Sequence, residues 1–471
     1  MPEKNYSFSV LLLLLFLVAI GVRAVPLLYD GSFDPDSHFH ARLSNDIART
    51  QSIPVWDSLS LQGRIYSYPP LLHVLVGFFS RVSGFDSLLV LKIIGLLVGG
   101  LLGVSVFLLG RSLGQSDGIA LWSGFFASVS SIAVWRTSGF TRPDGIALVL
   151  ISFLLYLWLT RRNMLAFILS IALVLLHPLS AVIYALLLSV YFLLSFIQKY
   201  RVSFWVLFAL GGMLLMFFWW VYSIGLPLSS YASDLSLSAS ELTRFWLLGF
   251  VVFFPLSWAF TTIGIVRGKI PIILGGWVIL SVVIGSFGMR LATYMIPFLA
   301  LLGGLGIHYL LSRFHMRKIF VPALAFFIII LGCFTFYSLM SGEGPYLNQS
   351  ERNALSFLRE YASPDDSVLT VWDQGHVVAY YTHLPVVIDG YFEFAHELKE
   401  RDSVSWNVLY SSRCPVWSEN MDRFNARFYY ISKDEMATPV ARLGLLSLDA
   451  CPDMRLVYSA DSVRIYERVV V

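Results

Sequence analysis

The sequence is short of charge. Asp, Glu, Lys and Arg make up 13% of its 471 residues, where a soluble globular chain carries about 25%. So few ionised side chains exclude a protein built wholly for water. Cysteine is scarce too, and three residues rule out a disulfide-built scaffold or a thiolate metal centre. Cys333 lies in an apolar run, whereas Cys414 and Cys451 lie in the polar C-terminal part, where an oxidising compartment would allow them to pair. No basic stripe interleaved with aromatics is present and the formal net charge is only +3, so nucleic acid is not an expected partner. Internal repeats and low-complexity segments are absent.

What the chain has is apolar residues in runs. They make up 57% of it, with a mean hydropathy of +0.72. Stretches such as Ser9–Val22 and Ile319–Met340 approach or reach the ~20 residues that cross a bilayer. Candidate spans lie near 8–25, 86–110, 118–135, 144–160, 163–177, 178–197, 203–222, 244–266, 270–288, 290–311 and 319–340. The first follows Lys4 and runs directly into Arg23 with no small-x-small cleavage pattern, so it is expected to remain as an uncleaved span. Leu71–Ser83 is apolar but too short to cross, and Pro69, Pro70 and Arg81 flank it; it reads as an interfacial helix.

The charges test this count. With a cytoplasmic N-terminus, the inner loops hold Arg111, then Arg161 and Arg162, then Lys199 and Arg201, then Arg267 and Lys269, and last Arg313, Arg317 and Lys318. Every one is basic, as the positive-inside rule requires. Counting Leu71–Ser83 as a span would put them all outside. The expected fold class is therefore a polytopic α-helical membrane protein of about 11 transmembrane helices with a C-terminal extracytoplasmic α/β domain. The transmembrane domain would cover 1–340, with outer loops 26–86 and 223–243, and the outer domain 341–471. Within that tail 351–361 reads as helix, 367–372 as strand, 375–381 as helix and 385–388 as strand. Asn348-Gln349-Ser350 is a glycosylation sequon on the predicted outer side. The plasma membrane is the expected location.

Ionisable residues gather at the predicted outer ends of the spans. Asp34-Pro35-Asp36-Ser37-His38-Phe39-His40 places two carboxylates and two imidazoles just beyond the first span. Such a set can bind a divalent cation or supply a general base, and a solvated Asp-Pro turn is the plainer alternative. Arg136 and Arg142 stand on the outer side against the charge rule, which suits a phosphate ligand. Asp144 opens the next span, where it serves chemistry or simply favours the helix start. Arg290 sits at the outer edge of another apolar run; it either meets a lipid phosphate or snorkels to the interface. His177 at a further junction reads more simply as structural. Asp234 and Glu241 are the acids of the loop 223–243.

Taken in order, these motifs resemble the catalytic subunit of oligosaccharyltransferases, most closely the archaeal form, and more broadly the GT-C glycosyltransferases. The resemblance rests on Asp34-Pro35-Asp36-Ser37-His38 in the first loop, Arg142-Pro143-Asp144 between two spans, Arg290, the outer-domain stretch Val371-Trp372-Asp373-Gln374-Gly375, and Pro385–Gly390 after it. It departs from the family pattern at Val371, where a first Trp is expected, and at the second acidic motif, which has one carboxylate. It implies a transferase that moves a glycan from a polyprenyl (dolichyl) phosphate or pyrophosphate onto an acceptor, most naturally the Asn of protein sequons. Asp34 and Asp144 would be catalytic, and Arg290, Arg142 and Arg136 would bind donor phosphate. Trp372, Asp373 and Gly375 would bind the acceptor. Asp34, Asp144, Glu241 and His38 would hold Mg²⁺ or Mn²⁺. The implied partners are a lipid-linked sugar, an acceptor protein and the bilayer. Two alternatives remain: a GT-C transferase using a polyprenyl-monophosphate monosaccharide, and a catalytically degenerate paralogue.

Overall fold

The computed structural model describes residues 8–27, 35–66, 68–134, 136–137, 142–198, 203–224, 255–268, 270–285, 289–313, 324–325, 327–330, 347–391, 395–411, 413–437, 448–460 and 463–469. The chain divides into two compact units. One comprises Met1–Tyr29, Pro69–Leu72 and Lys92–Gly344; the other comprises Asp30–Tyr68, His73–Leu91 and Pro345–Val471.

The described elements begin with α1 (Phe8–Leu27), α2 (Pro35–Thr50), the short strands β1 (Trp56–Asp57) and β2 (Arg64–Ile65), and α3 (Leu71–Ser83). Then come α4 (Ser87–Ser112), α5 (Asp117–Val129), α6 (Ser131–Val134), α7 (Pro143–Leu159), α8 (Asn163–Leu176), α9 (Pro178–Ile197) and α10 (Phe204–Ile224). Further helices cover Pro255–Arg267, Ile272–Gly285, Met289–Ala292 and Ile296–Arg313.

Among the described residues the first unit is helical, and its helices fall where the hydropathy placed apolar segments. Among the described residues, Ser87–Ser112, Pro178–Ile197 and Thr293–Arg313 are long and apolar enough to cross a membrane. The predicted span at 319–340 lies mostly outside the described residues. Small residues let backbones touch: a Cβ on Gly306 would overlap the Phe260 carbonyl, and one on Gly264 the Leu302 carbonyl. Such close approach maximises dispersion contact where lipid removes the hydrophobic drive between helices. Trp277 shows a polar side chain paired between helices, its Nε1 donating to the Leu187 carbonyl at 2.8 Å.

The second unit joins the first-loop residues to the C-terminal tail. Its sheet has the order β3 (Ser367–Leu369), β4 (Ala426–Ile431), β6 (Val463–Arg468), β5 (Met454–Ala460), with β3–β4 parallel and the other pairs antiparallel. Strand alternation sorts the core onto two faces. Phe428 and Tyr430 pack with Leu355, Leu358, Val377 and Val378, while Tyr429 and Ile431 pack with Val387, Trp417 and Met421. Helices Gln349–Tyr361 and Trp372–Thr382 form where 351–361 and 375–381 were expected. The first starts with a full capping box between Asn348 and Glu351. Pro385–Ile388 is not a ladder strand; Val386 makes isolated parallel bridges to Ser60 and Val368. Cys414 and Cys451 are disulfide-bonded, with Cα atoms 5.3 Å apart.

The acidic stretch of the first loop is helical rather than a turn. Pro35 takes the first helical position, where its missing N–H goes unused. Asp36 follows in the first turn, complementing the dipole. Ser37 to Ser44 of α2 are all buried, so this helix is a core element of the second unit.

Candidate functional site

In the first unit the predicted residues Arg136, Arg142 and Asp144 come together. Each is at most 6% exposed. Arg142 precedes α7 in an extended conformation, Pro143 opens the helix, and Asp144 lies in its first turn. Asp144 Oδ1 accepts from the Gly145 N–H at 3.0 Å, and its Oδ2 lies 3.6 Å from Arg136 Nη1. The close packing requires glycine: a Cβ on Gly145 would overlap the Arg136 carbonyl. Arg136, Thr137 and Arg142 line a narrow cleft with Gly95, Val98, Gly99 and Ile146, packed so closely that it leaves no free space for a water molecule. The cleft thus brings guanidinium, the group that pairs with phosphate, up against bare helix backbone at Gly95 and Gly99.

Arg290 belongs to the short helix Met289–Ala292; its side chain, like Asp34, Asp234 and Glu241 as a whole, lies outside the described residues. His177 caps α9, its Nδ1 accepting from the Ser180 N–H at 3.2 Å, and Ser180 in turn meets the Tyr294 hydroxyl. That is a structural role.

In the second unit the predicted acceptor residues open the helix Trp372–Thr382. Trp372 and Asp373 are half-buried. Gly375 is buried against the chain of the next motif, where a Cβ would overlap the Ile388 carbonyl. The two motifs are therefore packed backbone to backbone. His38 is fully buried on α2, with its ring 5.3 Å from Tyr380 and 5.6 Å from Tyr381.

Sequence reasoning missed a buried charge network around these motifs. Arg42 donates twice to Asp57, at 2.6 and 3.0 Å. Arg64 donates to Asp57 Oδ2 at 2.8 Å and, through a fork, to Asp389 at 2.7 and 2.6 Å. The Arg64 guanidinium also lies 4.7 Å from the Tyr391 ring centre. His376 Nδ1 is 3.5 Å from Asp389 and its Nε2 is 3.9 Å from Asp36. Burial alone would raise the Asp57 and Asp389 carboxyls. The guanidiniums, Arg42 for the first and Arg64 for the second, outweigh it and hold both below the usual range. Burial pushes the His376 imidazole down to about 4 against the pull of Asp389, so the ring is neutral at pH 7. One signal was available: Asp389 ends the apolar run Pro385–Ile388, where an unneutralised carboxylate would be costly.

A divalent cation of the Mg²⁺ or Mn²⁺ type needs several oxygen ligands. Of the expected set, Asp144 and His38 are described; they belong to different units, and Asp144 is engaged by Arg136. Asp34 and Glu241 lie outside the described residues, and among the described ones the expected set contributes one carboxylate, beside a guanidinium. Among the described residues the grouping with ligand-like spacing is Cys414, Cys451 and Asp453, and its two sulfurs are already joined.

Comparison with solved structures places this geometry. The archaeal oligosaccharyltransferase AglB from Archaeoglobus fulgidus, in complex with an inhibitory peptide and a dolichol-phosphate, superposes with a TM-score of 0.71 at 15% identity, covering 93% of this chain and 70% of AglB. A second AglB structure, in complex with Zn and sulfate, gives 0.68 at 15% identity over 98% and 73%. ArnT from Cupriavidus metallidurans, bound to undecaprenyl phosphate, gives 0.57 at 15% identity over 98% and 99%. The fold is the GT-C glycosyltransferase fold. Within it the chain is similar in sequence to dolichyl-phosphooligosaccharide-protein glycotransferase 2 of Pyrococcus furiosus, 34% identical over 118 residues. That stretch is 25% of this chain and spans only 16% of the Pyrococcus protein. No protein-family profile matches the chain. The GT-C likeness of fold extends over nearly the whole chain.

Proposed function

We propose that the protein is a membrane glycosyltransferase that moves a glycan from a polyprenyl phosphate or pyrophosphate to the side-chain amide of Asn in protein sequons. The observation that carries this is the buried Arg136–Arg142–Asp144 cluster at the start of α7, set in the fold of transferases solved with polyprenyl phosphates. The amide nitrogen attacks the anomeric carbon, the carbon–oxygen bond to phosphate breaks, and the amide proton passes to a carboxylate, Asp34 or Asp144. Arg136, Arg142 and Arg290 stabilise the charge that develops on the leaving phosphate. Trp372, Asp373 and Gly375 position the acceptor. Eleven spans, an inside N-terminus and an outer C-terminal domain in the plasma membrane complete this reading, and the Cys414–Cys451 disulfide agrees with an oxidising side.

A second reading is transfer of one sugar from a polyprenyl monophosphate; ArnT, solved with undecaprenyl phosphate, shares the fold. An acceptor panel separates the two. Purified protein in detergent is given native lipid extract with a fluorescent Asn-x-Thr peptide or its Gln-x-Thr counterpart. Glycosylation of the first alone is expected. Consumption of a lipid-linked monosaccharide with neither peptide modified supports the second reading instead.

A further inference from the structure

Arg23, near the end of α1, is fully enclosed in the first unit. Its Nε donates to Thr137 Oγ1 at 2.6 Å, and its Nη1 donates to the carbonyls of Ala19 at 3.0 Å and Ser128 at 2.8 Å. Among the described residues its Nη2 has no hydrogen-bond partner, and burial is what acts on the group. A guanidinium does not shed its proton, and an enclosed charge without an anion is strongly disfavoured. The carbonyl end of α5, which Ser128 presents, offsets part of that charge. An anion bound nearby would offset the rest.

The position of Arg23 indicates where that anion binds. Thr137 lines the same cleft as Arg136 and Arg142. Its hydroxyl accepts from Arg23 and donates to the Ala133 carbonyl at 2.6 Å, so Arg23 fixes the turn that carries Arg136. Gly99 seals the arrangement, since a Cβ there would come within 2.7 Å of both Arg23 Cδ and Thr137 Oγ1.

We infer that Arg23 is a further cation of the phosphate site, a positioning residue that holds Thr137 beneath the cleft and adds charge behind an anion bound at Arg136 and Arg142. This rests on the donor reading above. The ligand chemistry is a phosphate or diphosphate ester, whose source is a polyprenyl lipid headgroup or free phosphate.

The test uses the full chain in detergent, with binding followed by intrinsic tryptophan fluorescence. Wild type, Arg23→Gln, Arg23→Lys and Thr137→Val are titrated with a short polyprenyl phosphate, and separately with inorganic phosphate and pyrophosphate. Thermal unfolding of each variant checks the fold. Arg23→Gln keeps a donor for Thr137 but loses the charge, and is expected to weaken binding about tenfold or more. Arg23→Lys is expected to restore most of it. If Arg23→Gln does not fold, Thr137→Val carries the test, with an expected loss of at least about threefold. Loss confined to polyprenyl phosphate identifies the lipid headgroup as the source; loss for inorganic phosphate as well identifies free phosphate. A folded Arg23→Gln or Thr137→Val protein that binds as tightly as wild type overturns the inference and leaves Arg23 as a helix-end cap. Wild type that binds none of the three ligands overturns the donor reading itself.

Discussion

At the scale of single residues, the second unit depends on charges that are buried only because they are paired. Asp389 accepts both arms of the Arg64 fork. Removing one member of a buried pair leaves the other charge uncompensated and costs about 3–5 kcal/mol. Asp389→Asn is therefore expected to lower the second unit's stability by at least about 3 kcal/mol, seen as an earlier unfolding transition in detergent. An unchanged transition would show that Arg64 is sufficiently held by Asp57 alone. The His376 ring adds a pH dependence with a definite sign. Its folded value is about 4, below the ordinary 6.5, so the unfolded chain takes up a proton there before the native one does. Stability is thus full above pH 6.5 and falls as pH drops toward 4, by about 2 kcal/mol at pH 5. Below that the lowered Asp57 and Asp389 carboxyls extend the loss in the same direction. Thermal scans at pH 7 and pH 5 are expected to show the fall in wild type and its absence in His376→Phe. That Arg136, Arg142 and Asp144 lie together could be anticipated, because two cations at one expected outer junction stand out locally. Arg64 and Asp389 were not, since their meaning lies in a partner 325 residues away. Arg23 was hidden by its setting, since an Arg after an apolar run reads as the ordinary end of a span.

At the scale of elements, hydropathy located the helices of the first unit, because a run of apolar residues bounded by charge or proline has one simple outcome in lipid. It did not reveal α2. That helix has short polar and aromatic residues whose burial depends on a surface supplied by the distant tail. The tail helix Gln349–Tyr361 was legible from its amphipathic pattern, and Asn348 shows why it starts where it does. The Asn348 side-chain oxygen accepts from the Glu351 N–H at 2.9 Å while Glu351 returns a bond to the Asn348 N–H at 2.9 Å. The sequon reading of Asn348 thus competes with a capping role. Asn348→Ala is expected to lower stability by about 1 kcal/mol, whereas Asn348→Asp, which keeps the accepting oxygen, should stay close to wild type. Equal loss in both would mean that the cap contributes little.

At the scale of the whole molecule, the division into units differs from a simple cut between membrane part and tail. Residues 30–68 cluster with 345–471, so the acidic first loop and the acceptor-motif helix share one folded body. This joins two motifs that the sequence separates by more than three hundred residues, and it explains why α2, the β1–β2 pair and the tail exchange buried charges. No local pattern announces such a union; it follows from burying Arg42, Asp57, Arg64 and Asp389 together. The central claim, a transferase acting on a lipid-linked glycan, is tested most directly by one comparison. Wild type and Asp34→Asn, each shown to be folded, are incubated in detergent with native lipid extract, Mn²⁺ and a fluorescent Asn-x-Thr peptide. The account predicts a glycosylated peptide from wild type and none, or at most about a hundredth as much, from the variant. Equal product from both would contradict the role given to Asp34, and no consumption of any lipid-linked sugar by wild type would contradict the claim itself.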